Sequence, residues 1–206
     1  MDLLRRAGSG DPGLVQIIDA AMAEAARKSG SWLACRPGCT ECCMGPFRIT
    51  ALDARRLRLG LAELAERDPE RAARVRGRAE LAVTRLSIGF PGDAETGVLL
   101  EDFADDERYA GWAGDEPCPA LDPATGLCDL YQARPITCRT FGPAVRCGPN
   151  SLGVCELCYH GATDEQIAAC EVEIDPDGLE AQLLEQLEAE TGAQGATIVA
   201  FALGRL

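Results

Sequence analysis

Aromatic residues are scarce in this chain of 206 residues, at 5%, and much of its 47% hydrophobic content is alanine. A chain of this length hides roughly 70% of the surface it exposes unfolded, yet alanine contributes little buried area per residue. A thin core is expected, with something besides packing to hold it. Basic residues are also few: 20 Lys and Arg against 33 Asp and Glu leave a net charge of −13. That balance disfavours a nucleic-acid partner recognised through phosphate neutralisation. Long apolar runs are missing as well. Met1 to Gly13 lacks the stretch an export signal needs, and the longest late run, Ala196 to Leu203, is too short to span a membrane. The expected location is therefore cytoplasmic, with no membrane partner. Reducing conditions there make disulfides rare and turn cysteine clusters into metal or redox sites, and this chain has eleven cysteines. An odd count without an export signal argues further against a disulfide framework.

The cysteines fall into two groups, Cys35, Cys39, Cys42 and Cys43, then Cys118, Cys128, Cys138, Cys147, Cys155, Cys158 and Cys170. The gap between them reads as a helical hairpin. Thr50 is a candidate cap before Leu52, Leu57, Leu59, Leu61 and Leu64, and a second run from Asp68 to Leu86 carries Val75, Ala79, Ala82 and Leu86 at helix period. Gly13 to Lys28 and Asp177 to Ala189 show the same period. Strand signals are few. Gly89 to Pro119 is broken by Gly and Pro and carries the acidic run Asp105, Asp106 and Glu107, so it reads as an irregular connection. Phe103, Tyr109 and Trp112 are its apolar anchors. The fold class is mainly α: a small helical domain with a cysteine-rich, loop-rich metal-binding region. The organisation expected is one domain over 1–206, with an N-terminal helix in 1–30, a cysteine-cluster domain in 31–170 and a C-terminal helical extension in 171–206.

Cys39 with Cys42 and Cys155 with Cys158 are both C-x2-C pairs, a spacing that lets a tight turn aim two thiolates at one ion while its amides donate to the sulfurs. Adjacent Cys42 and Cys43 diverge, which suits two neighbouring ions, or one ligand and one supporting thiol. Four sulfurs on a divalent ion leave about −2 of charge, and Arg36, Arg134, Arg139 and Arg146 lie within a few residues of cysteines to offset it. Asp122 to Gly126 is a turn by composition, expected to fold Cys118 and Cys128 back toward one another. His160, the sole histidine, could complete a mixed site or sit in a partly exposed turn beside Gly161.

The run Cys35, Cys39, Cys42, Cys43, the helix start Ile49-Thr50 with Asp53, and the later Cys118-Pro119, Cys128-Asp129-Leu130-Tyr131 and Arg134-Pro135 to Cys138-Arg139 together resemble the YkgJ-type cysteine-cluster family. That family is described as a zinc- or iron-chelating domain and is known by its CxxCxxCC signature. The resemblance implies metal chelation by Cys35, Cys39, Cys42, Cys43, Cys118, Cys128 and Cys138. The stretch from Val154 to Cys170 looks like the tail of one branch of the family, which adds Cys155, Cys158 and Cys170. Cys147 matches nothing in the pattern. Two departures stand out: the first gap is x3, and Asp53 stands where relatives often carry Glu.

Sharper alternatives weigh less. Cys35-x3-Cys39-x2-Cys42 fits the spacing of radical S-adenosylmethionine enzymes, but residues after Cys43 read as helices rather than a barrel. Cys158 and His160 are too close in sequence to align as nucleophile and base, so no catalytic residue is nominated. The family includes flagellin lysine methylases, but no Gly-rich cofactor signature is present here. Arg71, Arg74, Arg78 and Arg85 lie at helical spacing; they read as a solvated face stabilised by Glu66, Glu70 and Glu80, or as a dock for an acidic partner or the chain's own acidic tail from Glu171 to Glu190. The expectation is a cytosolic protein chelating zinc or iron through clustered thiolates. The alternative is an iron-sulfur (4Fe-4S) redox or transferase enzyme related to those methylases, because thiolate ligation alone does not separate the two.

Overall fold

A computed structural model of the chain describes residues 10–101, 107–109 and 111–205. The first nine residues, Phe103, Asp105 and Asp106 lie outside the described residues. Among those described, seven helices occupy Asp11–Ser29 (α1), Ala51–Arg67 (α2), Pro69–Leu86 (α3), Ile136–Thr140 (α4), Asp164–Cys170 (α5), Leu179–Thr191 (α6) and Val199–Gly204 (α7). Short strands lie at Gly92–Asp93 (β1), Val98–Leu99 (β2), Leu121–Asp122 (β3), Leu127–Cys128 (β4), Val145–Cys147 (β5), Asn150–Ser151 (β6) and Val172–Glu173 (β7). The protein is mainly α, with about 51% of the described residues in helix. No helix among the described residues is long and apolar enough to cross a membrane. The chain divides into two compact units, with boundaries after Arg36, Pro135 and Glu190.

The unit built from Pro37–Pro135 and the C-terminal segment is organised on the helical hairpin. Thr50 and Asp53 form a reciprocal cap at the start of α2, each backbone N–H donating to the other's side chain at 3.3 Å. Asp68 ends α2 and caps α3, accepting from the Arg71 amide at 3.0 Å, with Pro69 occupying the first turn where no N–H is missed. The hairpin buries Leu57, Leu61, Leu64, Val75 and Ala79 against α7. The late apolar run is thus the innermost helix of this unit, with Ala202 and Leu203 at 0% and 1% exposure. A Cβ on Gly204 would sit 3.0 Å from the Ala79 backbone, so glycine permits the close approach of α7 to α3. The irregular stretch is pinned by rings: Phe90 meets Trp112 edge-on at 5.8 Å and Phe201 at 4.6 Å. Trp112 acts as expected, while Phe90 is an anchor the sequence reading did not name.

In the other unit α1 packs on α4, α5 and β7. Buried Arg139 donates to both oxygens of Asp19, at 2.7 and 2.9 Å. β5 pairs antiparallel with β6 and parallel with β7. Tyr159, with φ at +58°, buries a hydroxyl that meets Ser29 Oγ and accepts from the Ala144 amide at 3.0 Å. Around it lie Cys155, Cys158, Cys170, Trp32 and Leu33.

Candidate metal centre

Five of the ten predicted ligands, Cys39, Cys42, Cys43, Cys118 and Cys128, belong to the unit of the helical hairpin; Cys35, Cys138, Cys155, Cys158 and Cys170 belong to the other. The boundary after Arg36 falls inside the first cysteine group.

Cys42 and Cys43 lie on the single turn Glu41–Cys43, closed by the Cys43 amide donating to Thr40 O at 2.8 Å. Met44 bridges antiparallel to Pro117, and the Cys118 amide donates to Cys43 O at 2.8 Å, which brings Cys118 to the turn. From Cys118 the chain makes the expected hairpin. Asp122 accepts from the Ala124 amide at 3.1 Å and from Thr125 Oγ1 at 2.7 Å, and Gly126 takes the positive φ of +69° that the turn requires. β3 and β4 pair Leu121 with Cys128, so the hairpin returns Cys128 toward Cys118.

The thiols sense each other. The thiol of Cys42 bonds with that of Cys43, and with burial and the neighbouring Cys43 charge this lifts its pKa far above the ordinary thiol range. Burial pushes Cys118 up to about 12, with Cys128 and Cys42 adding to the rise. Cys128 is raised by burial first, then by Asp129, with a further contribution from Cys42. Arg134 opposes these shifts at Cys42 and Cys128. Its guanidinium lies 3.9 Å from the centre of the Tyr131 ring and donates to Tyr131 O at 2.9 Å. Of the four arginines expected to offset thiolate charge, Arg134 does face the sulfurs. Arg139 instead pairs with Asp19 and Arg146 with Glu173 at 2.7 Å, while Arg36 is exposed.

In the other unit, Cys35 is exposed and Cys138 half-buried on α4. A Cβ on Gly142, whose φ is +118°, would lie 2.7 Å from Cys35 Sγ. Cys155 and Cys158 are buried in a turn closed by the Cys158 amide on Cys155 O at 2.8 Å. Cys170, also buried, places its sulfur 3.5 Å from Lys28 O. Cys147 and His160 are exposed.

Among the described residues no three Cys, His, Asp or Glu side chains are gathered as a closed metal cage. In the hairpin unit Cys42 bonds with Cys43 and lies within electrostatic reach of Cys118 and Cys128. As donors these sulfurs fit zinc or iron and do not fit calcium or magnesium, which take oxygen.

The arginine stripe carries ion pairs on a partly solvated face, with Arg74 and Arg85 exposed and Arg71 and Arg78 half-buried. Arg71 and Arg78 both reach Asp129, and Arg85 reaches Glu116, each at 2.5 Å; Arg74 is exposed. Sequence reasoning quoted Asp129 only as the residue after Cys128 in the motif and gave it no role.

The family designated CxxCxxCC and described as a "putative zinc- or iron-chelating domain" matches residues 34–156. No curated protein and no solved structure matches the chain.

Proposed function

Because the chain belongs to the CxxCxxCC family of zinc- or iron-chelating domains, and metal binding is the activity that goes with it, we propose that Cys42, Cys43, Cys118 and Cys128 are the core of its metal centre. The observation that carries this reading is geometric: the Cys118 amide donates to Cys43 O at 2.8 Å and the β3–β4 hairpin returns Cys128 toward Cys118, which draws together thiols from two segments far apart in sequence. Cys39, one turn before Cys42, supports the same knuckle. Cys35, Cys138, Cys155, Cys158 and Cys170 are proposed as ligands within the other unit, the last three from one buried cluster. Zinc is the preferred ion, since a metal bound by thiolates supplies folding free energy in a chain whose aromatic content is 5%. The protein works in the cytoplasm as a metal-binding module.

When bound, the ion would link the Glu41–Cys43 turn to the β3–β4 hairpin. The chain's own part is to hold the sulfurs half-buried, direct the Cys43 carbonyl to the Cys118 amide, and present Arg134 against the gathered charge.

Purification without oxygen, followed by elemental and acid-labile sulfide analysis, tests the proposal. At least one zinc or iron per chain is expected, colourless and free of sulfide if zinc. Less than one metal per chain overturns it. Brown protein with sulfide would assign the sulfurs to an iron-sulfur cluster instead.

A further inference from the structure

Arg71, Arg78 and Arg85 stand seven residues apart on α3, so they share one stripe of the helix with a drift of only about 20° per step. Each grips a segment that carries a cysteine. Arg71 Nε donates to Asp129 Oδ1 and Arg78 Nη2 to Asp129 Oδ2, both at 2.5 Å. Arg78 Nε also donates to Pro119 O at 2.9 Å. Arg85 donates through Nε and Nη2 to the two oxygens of Glu116, at 3.0 and 2.5 Å. Asp129 directly follows Cys128, Pro119 directly follows Cys118, and Glu116 passes its carbonyl to the Gly45 amide at 2.9 Å, two residues beyond Cys43.

The middle contact is the strongest. The Asp129 carboxylate is 2% exposed, while its two guanidinium partners are 38% and 24% exposed. A carboxylate this deeply buried is tolerable only with its charge matched and its oxygens bonded, so neither it nor the cysteine beside it can shift while both arginines hold. The Asp129 amide donates to Ala120 O at 2.7 Å, which ties the same point to the strand that leads from Cys118. Asp129 and Arg78 thus fix both strands of the hairpin near their cysteine ends.

We propose that Arg71 and Arg78 are positioning residues for the metal centre: clamped on Asp129 and the Pro119 carbonyl, they hold the Cys118 and Cys128 backbones in a fixed relation to one another. This rests on the reading that Cys118 and Cys128 are ligands. The clamp explains why an acidic chain places arginines at this interval, and it makes α3 the template on which the site is set before metal arrives.

The test compares the full chain with Arg71→Gln/Arg78→Gln, the milder Arg71→Gln, the charge-keeping Arg71→Lys, and Arg58→Gln. Arg58 makes a guanidinium contact of the same kind, 3.1 Å to Ala202 O on α7, away from the hairpin. Zinc affinity is read by competition with a chromophoric chelator, and geometry by the thiolate-to-cobalt absorption of the cobalt-loaded protein. The double variant should bind zinc about 10- to 100-fold more weakly, the range seen when partners that orient metal ligands are lost, and its cobalt band should weaken. Arg71→Gln should fall between it and wild type, Arg71→Lys should recover the band, and Arg58→Gln should match wild type. If the double variant will not fold, Arg71→Gln alone decides. Wild-type affinity and spectrum in the Gln variants, or an equal loss in Arg58→Gln, overturns the inference. A wild-type chain that takes up neither zinc nor cobalt overturns the underlying metal reading, and the inference with it.

Discussion

Metal loading should expel protons from this protein, about one for each neutral thiol that the ion takes. Cys118 is pushed up to about 12, and Cys42 and Cys128 are raised as well, so all three are neutral in the metal-free chain at pH 7. Metals take thiolates. Filling the centre therefore releases about three protons from these residues, and each is worth 1.36 kcal/mol per pH unit. Affinity should fall by about 4 kcal/mol, about a thousandfold, for every unit of acidification near neutrality. The metal-free fold has the opposite slope. An acid whose folded pKa exceeds its unfolded value, here 9.0 for Cys118, stabilises the fold below that value and loses its contribution as pH rises toward 12. Metal-free protein should thus melt earlier as pH rises above 9, whereas loaded protein should weaken as pH falls. Calorimetric titration of zinc into the reduced, metal-free chain, in buffers of differing ionisation enthalpy, counts the protons directly. Fewer than one proton per ion, with affinity flat from pH 6 to 8, would refute the reasoning.

A strong chelator should lower the cooperative melting temperature, and Cys42→Ser should do the same, whereas Cys147→Ser, at an exposed position on β5, should melt and load like wild type; thermal scans with metal analysis check all three. Tyr159→Phe should cost about 2 kcal/mol in urea unfolding, because the buried Ala144 amide loses its acceptor. An unchanged midpoint would show that amide to be satisfied otherwise. Gly60→Ala should cost about 1–3 kcal/mol, since its Cβ would fall 2.3 Å from the Ala133 Cβ and push the turn that leads into Arg134; a midpoint equal to wild type would contradict that packing.

The hairpin of α2 and α3 was legible because its apolar positions repeat at helix period over two long runs, and because Thr50 and Asp68 mark its starts with capping side chains. The turn from Asp122 to Gly126 was equally plain, since Asp, Thr and Gly stand where its backbone needs them. Position along the chain concealed the rest. Ala196 to Leu203 is too short to show a period, and only contact with α2 and α3 makes it the centre of its unit. Asp129 lies 58 and 51 residues from the arginines it joins, a separation no local pattern reports. Burial of Cys155 and Cys158 was also invisible, because cysteine serves as ligand and as small core residue with the same side chain.

X-ray absorption at the metal edge, on protein purified without added metal, addresses the sulfurs themselves. A shell dominated by sulfur at about 2.3 Å is the expected result. A shell of nitrogen and oxygen alone, near 2.0–2.1 Å, would mean that the ion sits elsewhere and that these thiols are not what holds it.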